Sequence, residues 1–355
     1  MAIGFSISWF EQRLKFIMAA TIVRSGVCSS ILPLVASVAV LAAWVPSAQA
    51  QGFVTLYGRV NTTVEHGKLS GESTTTQMRN NGSNLGFMGQ EDLGNGLKAG
   101  FLYEMDIDST TGAADDGYAS QSELWLGGNW GRVRLGNYGG QSFKTIVEEV
   151  SLHNDNVGSS ADFLFADVMP ADHHVSYVTP ELGGLVLELG FSSEDDRLRQ
   201  DGVKKNAYEL VANYDIGDWS LAGSYSEFGQ AEQFAVRALY TLGDFQLGGY
   251  YQQDKNGWLD DAGKRDSYRL VGIYTLGHSE FHVNAGYADE YRNLADSDAT
   301  QWTLAWNYHL SKRTKLYALY TELDNGRNAT YGADVGVSQG GQDFKAFAVG
   351  LRHYF

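Results

Sequence analysis

The sequence predicts an all-β protein, a 16-stranded antiparallel barrel that crosses a membrane, and three observations carry that prediction. Apolar residues alternate with polar or small ones in segments of about ten residues, as in strands with one face in lipid and the other in water. The connections sort by length, short at one end of the strands and long at the other. Glycine supplies 42 of 355 residues, beside 13% aromatic residues and only 4 prolines. That is about 12% glycine against a usual ~7%.

The chain opens with a predicted signal peptide, residues 1–50, with Met18 as an alternative start. Arg13, Lys15 and Arg24 supply positive charge, Ile31 to Val45 an apolar stretch, and Ala48-Gln49-Ala50 a cleavage motif. The apolar stretch is about 15 residues, short of the ~20 that a spanning helix needs. Removing this leader from 355 residues leaves 305, shifts the net charge from -16 to -18, and removes Cys28, the lone cysteine. A cysteine-free mature chain suits an oxidising, exported compartment, and excludes a disulfide framework or a cysteine-rich metal module. The acidic balance argues against a nucleic-acid partner, whose phosphates demand Lys and Arg. No cofactor is implied.

Beyond Gln51 no apolar run approaches 18 residues, so helical spans are excluded. Period-two alternation takes their place. Trp302, Leu304, Trp306 and Tyr308 share one face, Thr303, Ala305 and Asn307 the other. The turns at Tyr214–Trp219, Tyr240–Phe245, Tyr274–His278 and Tyr308–Ser311 repeat one hairpin, in which an aromatic residue closes a strand before a short turn. Opposite them lie long polar connections, Asp254 to Lys264, Glu290 to Asp298 and Asp324 to Gln342. A soluble sandwich shares the alternation but has no reason to sort its loops. In order, the predicted strands are Val54–Glu65, Asn84–Gln90, Leu97–Asp106, Ser122–Asn129, Arg132–Gly136, His174–Val178, Leu185–Phe191 and Ala207–Tyr214. Trp219–Ser226, Ala235–Thr241, Phe245–Gln252, Ser267–Thr275, Phe281–Ala288, Thr300–Tyr308, Lys315–Glu322 and Lys345–Phe355 complete the sixteen. A barrel of that size encloses an aqueous channel.

Six segments in order carry a resemblance: Val54–Gly58, Gly89–Lys98, Gly131–Gly136, Tyr177–Leu185, Leu310–Thr314 and Gly350–Phe355. Through them the chain resembles the trimeric general porins of Gram-negative outer membranes, in their betaproteobacterial and neisserial branch. The resemblance implies a porin barrel over residues 51–355, with residues 137–173 as a third loop folded into the lumen as a constriction. It implies a homotrimer, contact with outer-membrane lipid and lipopolysaccharide, and a terminal Phe355 read by the barrel-insertion machinery. On the loop the candidate acidic residues are Glu148, Glu149, Asp155, Asp162 and Asp167. On the wall, strand parity turns Arg59, Lys98, Arg134, Arg237 and Arg352 towards the lumen, with Arg132 and Arg269 as further candidates. A charge facing mid-membrane lipid costs about 2–4 kcal/mol, which supports that parity.

The chain departs from the family at two places. Relatives carry Arg and Lys where this chain has Asn84 and Met88, and Arg where it has Asn137. With these three cations missing and a charge of -18, the expectation is passive diffusion of ions and small hydrophilic solutes with a weak cation preference. The alternative is a substrate-specific channel for a small anion or sugar on the same barrel. An enzyme is not expected. His173 and His174 beside Asp172 form the one conspicuous cluster, but neighbours on a strand point to opposite faces, and Ser159-Ser160 lacks a positioned base.

Overall fold

The computed structural model describes residues 52–114, 119–151, 153–154, 157–170, 172–193 and 206–355. The predicted leader and its cleavage motif lie outside the described residues. One antiparallel sheet closes on itself. Its strands are β1 (Phe53–Leu69), β2 (in two pieces, Thr75–Asn80 and Ser83–Gly94), β3 (Leu97–Ile107), β4 (Gln121–Gly128) and β5 (Gly131–Asn137). There follow β6 (His174–Val178), β7 (Leu185–Ser193), β8 (Asn206–Ile216), β9 (Trp219–Phe228), β10 (Ala231–Leu242) and β11 (Phe245–Lys255). The last are β12 (Lys264–Leu276), β13 (Ser279–Ala288), β14 (Ala299–His309), β15 (Thr314–Asn325) and β16 (Phe344–Tyr354). Each strand pairs with its sequence neighbours, and β1 pairs with β16 to close the ring. Closure leaves no edge, so every backbone polar group at membrane depth finds a partner within the sheet.

The first piece of β2 lies beyond the predicted strand. Thr62 pairs with Asn80 and Arg59 with Asn84, so three residues of β2, 81–83, lie opposite two of β1, 60–61. The extra residue makes a bulge at Asn81-Gly82, where Gly82 takes φ +72°. Thr75–Asn80 carries polar residues on both faces, so it shows no alternation to find.

Register carries one parity around the whole ring. Asn61 pairs with Arg352, Arg352 with Lys315, and Lys315 with His309, all on the inner face. Outward, the same strands expose Val60, Leu351 and Leu316. The short turns sit at one end, as at Gly217-Asp218, Gly243-Asp244 and Gly277-His278, and the long loops at the other. The tight Gly229-Gln230 turn between β9 and β10 is an exception on the long-loop end. Phe355 ends the chain at the short-turn end, exchanging backbone hydrogen bonds with Gly58 at 3.1 and 3.4 Å. Its ring covers Gly58, and a Cβ there would lie 2.4 Å from it, so glycine is required.

Candidate functional site

Residues 138–173 connect β5 to β6, and the described ones turn into the barrel. Tyr138 starts the segment fully buried, its hydroxyl donating to Ser176 Oγ at 3.0 Å and its ring stacked on His174 at 4.3 Å. Burial pushes this phenol up to about 12. Residues 141–151 then wind into helical turns with a π stretch in the middle. Helix N-termini leave N–H groups without partners, and here Glu209 of β8 accepts from the Gln141 and Ser142 amides at 2.9 and 2.8 Å. The apolar side of these turns, Ile146, Val147 and Val150, packs on Leu239, Val271 and Ile273 of the inner wall.

Further on, His153 bonds Asn307 through Nδ1 at 3.0 Å, and its carbonyl accepts from Lys315. Burial, then the neighbouring charges of Lys315 and His282, holds the His153 imidazole well below its ordinary value. Asn61 donates to Asn154 at 3.0 Å and Ser159 to Glu65 at 2.9 Å, so the loop reaches β1. It returns across Gln301, whose carbonyl accepts from Phe163 N at 3.1 Å. Asp162 then pairs with Arg269 Nε at 2.7 Å, both side chains 0% exposed, and accepts from the Tyr250 hydroxyl. Arg265 donates to Leu164 O at 2.9 Å while paired with Asp254 at 2.7 Å. Gln252 accepts from Ala166 N at 2.9 Å. The loop thus clothes the inner face of β8 through β16 and the adjoining part of β1.

The opposite inner wall, β2 to β5, stays wet. Met88, Asp92, Lys98, Asp106 and Arg132 are exposed there, and Leu102, Glu104 and Trp125 half-buried. Arg59 anchors to this wall by donating through Nε to Gly82 O at 2.7 Å, an approach the bulge permits. Tyr57 donates to Glu104 at 2.8 Å.

All five basic residues expected on the lumen face lie there by register, and they divide by surroundings. Lys98 is open to water and Arg59 half-open. Arg134 is buried between Glu123 at 2.8 Å and Glu188 at 2.6 Å. Arg237 is buried beneath the loop with Glu149 at 3.7 Å, and Arg352 is buried beside the ring of Tyr354. Of the acidic residues, Glu149 and Asp167 are exposed and Glu148 half-buried. Asp162 is no free charge of the channel, because its carboxylate is spent on Arg269; it is an anchor of the loop. Asp155 lies outside the described residues. Four aromatic residues anchor the loop: Tyr138, Phe163 and Phe165 are buried, and Phe143 meets Phe165 edge-on at 6.0 Å. His173 and His174 are separated as expected, though by a turn: His173, at φ +53°, bonds Asp172 in the open, while His174 is buried against Tyr138.

Sequence reading missed Glu209, Gln233, Gln252, Asn307 and Arg265 as loop anchors. A signal existed: β12 is apolar on both faces at Val271 to Tyr274. An inner face that is greasy inside a water channel must be covered by something.

Inside the ring a loop-clad wall thus faces a wall that keeps exposed groups of both signs. Among the described residues no cluster of His, Cys, Asp or Glu is built to hold a metal. A family model described as Gram-negative porin matches residues 36–328. Outer membrane porin protein 32 of Delftia acidovorans is 32% identical over 348 residues, covering 87% of this chain and 96% of that protein. Major outer membrane protein P.IB of Neisseria meningitidis is 26% identical over 332 residues, covering 85% and 94%. Among solved structures, an anion-selective porin from Comamonas acidovorans superposes with TM-score 0.74 at 27% identity, covering 86% of this chain and all of that one. OmpT of Vibrio cholerae in its trimer form shares the fold, with TM-score 0.67 at 18% identity over 86% of this chain and 99% of its own. The closed 16-stranded ring, the inward loop and these matches together place the chain in the family of Gram-negative outer-membrane porins, channels and not enzymes.

Proposed function

We propose that this porin passes ions and small hydrophilic solutes by passive diffusion, through the lumen left between residues 137–173 and the inner wall of β2 to β5. The observation that carries the reading is the seating of the loop: its anchors lie along β8 to β16 and β1, and the facing wall keeps Arg59, Lys98, Arg132, Glu104 and Asp106 in contact with water. Residues 137–173 act as the constriction, with Glu148, Glu149 and Asp167 as its acidic side.

The cation preference expected from net charge is not carried forward. A porin of similar structure is anion-selective, and whole-chain charge is a poor guide to a filter, where only groups at the constriction act on the ion. Asp162, Asp254, Glu123 and Glu209 count towards the total yet are buried. The wet wall balances cations against carboxylates.

Assembly is proposed as a homotrimer, as its fold relative OmpT has a trimer form. The leader is proposed to be cleaved near Ala50, and the outward-facing Phe355 to be the signal for insertion into a membrane of lipid and lipopolysaccharide. Purified protein added to a planar bilayer should give stepwise conductance. Silence where a known porin conducts would sink the channel reading, and saturable block by one sugar or organic anion would replace it with a specific channel.

A further inference from the structure

A cavity of ≈ 830 Å³ opens at the long-loop end, between the returning end of the inward loop, the β9–β10 turn and the β11–β12 loop. It is as large as a small-molecule site. Phe228, Trp258 and Leu259 give it an apolar lining, and Asp167, Asp260 and Asp261 add carboxylates beside the neutral Gln230 and Asn256. Among the described residues, none that lines it is basic.

Trp258 is the unusual element. It stands 51% exposed at a loop tip, with Tyr331 held edge-on behind it at 6.0 Å. A mobile loop would fold such a ring away from water, because burying it is favourable. This loop is held. Asn256 donates its backbone N–H to Gly263 O at 2.9 Å and accepts the Gly263 N–H on Oδ1 at 2.8 Å. Gly257 N donates to Asp254 at 3.2 Å, and Asp254 is itself fixed by the buried Arg265. Asn256 and Asp261, flanking the ring, sit at φ +57° and +60°, a left-handed conformation uncommon outside glycine. Asn and Asp are the side chains that take this conformation most readily, and here they fix the path of the loop on either side of the ring.

We propose that this rim cavity binds an organic cation with an apolar body. The carboxylates supply attraction for a positive headgroup and repel anions. The indole face supplies a cation–π contact, and Phe228 and Leu259 receive the apolar part. Because the loop is already ordered, binding does not have to immobilise it. The site is a property of the rim and stands whether or not the lumen conducts.

The test is calorimetry on the detergent-solubilised full chain with benzyltrimethylammonium, against benzyl alcohol and benzoate as neutral and anionic analogues of similar size. Saturable binding of the ammonium alone is expected. The double variant Asp260→Asn/Asp261→Asn should weaken it by about fivefold or more, the scale of one lost charge contact near water, and Trp258→Leu by about threefold. Unchanged KCl conductance of both variants in a bilayer shows that they are folded. If wild type itself is silent there, unchanged heat-modifiable gel mobility serves instead, and the channel reading fails without touching this one. Equal binding of all three probes, binding unaffected by the variants, or no binding at all would overturn the proposal.

Discussion

The two inner walls of the barrel are built for different neighbours. From β8 to β16 the inward side chains are buried, and many are small or apolar: Ala235, Leu239, Val271, Ile273, Ala288, Ala299 and Ala348. Between them stand amides and charges that each meet a particular backbone group of the loop, as Gln301 and Gln252 do. From β2 to β5 many inward side chains are long and wet, among them an exposed Met88, and the buried pair Arg134 and Glu123 is the exception. The outer faces differ as well. The clad half carries cross-strand aromatic pairs at both strand ends, Trp219–Tyr240 and Phe245–Tyr274 at 4.6 Å, Tyr251–Tyr268 at 5.3 Å and Trp302–Tyr320 at 5.2 Å. Such rings suit the two lipid–water interfaces. On β1 and β2 the outer face is mostly aliphatic, with Val60, Val64, Met78 and Leu85 beside the ring of Phe87. It also carries a polar knot in which Ser109 meets Thr62 at 2.6 Å and Asn80 at 3.1 Å. The lesson is that a barrel strand must be read twice, once for each face, and that each face names its own neighbour.

Breaking the clad wall should produce the largest effect. Asp162→Ala leaves the Arg269 guanidinium buried without its carboxylate, and removing one partner of such a pair costs about 3–5 kcal/mol. The loop should then lift from β12, giving a larger and noisier single-channel current and faster amide exchange over residues 158–166. Arg132→Ala, on the wet wall, should leave both unchanged, because an exposed cation contributes about 0–1 kcal/mol. A quiet current and unaltered exchange in Asp162→Ala would mean that the loop does not depend on its ion pair.

Most of this contrast was legible in the sequence, and the part that was not has a physical cause. Period two fixes the face of every side chain once a strand is recognised, so Arg59, Lys98, Arg134, Arg237 and Arg352 could be turned inward from spacing alone. Spacing is blind to what lies above an inward face. Arg237 and Lys98 have the same parity and opposite surroundings, because a loop distant in sequence covers one and spares the other. Thr75–Asn80 was missed for a related reason: with no greasy face it shows no pattern, and only its pairing with β1 makes it a strand.

The outer faces can be set against each other by one kind of substitution. Val283 lies among the aromatic pairs and Val64 on the aliphatic side near the closure of the ring, both about half exposed. Arginine at Val283 faces lipid and should destabilise the inserted barrel by about 2–4 kcal/mol, read by urea unfolding in vesicles. On the proposal that the homotrimer packs through this aliphatic face beside the closure of the ring, arginine at Val64 should instead separate protomers, shifting the species in native gels from trimer to monomer. Identical effects from both would show that β1 faces lipid like the rest.

Acidification should loosen the clad wall through His153. This imidazole is buried beside His282, Lys315, Arg352 and Tyr317, with Asn307 on Nδ1 and Glu280 behind both Asn307 and His282. Its value is depressed in the seated loop, so the unseated state binds the proton more readily. The seat is therefore at full strength above the ordinary imidazole value of 6.5 and weakens as pH falls below it, by up to about 1.4 kcal/mol per pH unit. Current noise should rise between pH 7.5 and 5.5, and His153→Asn should remove that rise. A variant as pH-sensitive as wild type would locate the titration elsewhere.

The smallest expected effect bears most directly on ion choice. Asn84 and Met88 occupy inward positions of β2, Asn84 directly opposite Arg59 and Met88 opposite Leu102. Both therefore lie on the wall that the loop leaves uncovered. A unit charge about 4 Å from a passing ion is worth ~1 kcal/mol in bulk water, close to a fivefold change in its local concentration. Asn84→Arg and Met88→Lys should each move the reversal potential in a KCl gradient towards chloride, and the pair should do so roughly additively. The effect should fade in molar salt, where screening shortens to ~3 Å. The same charge placed under the loop, as Ala235→Lys, should act on loop seating instead. If the two wet-wall cations left the reversal potential where it was, the ion path would have to run along some other part of the lumen.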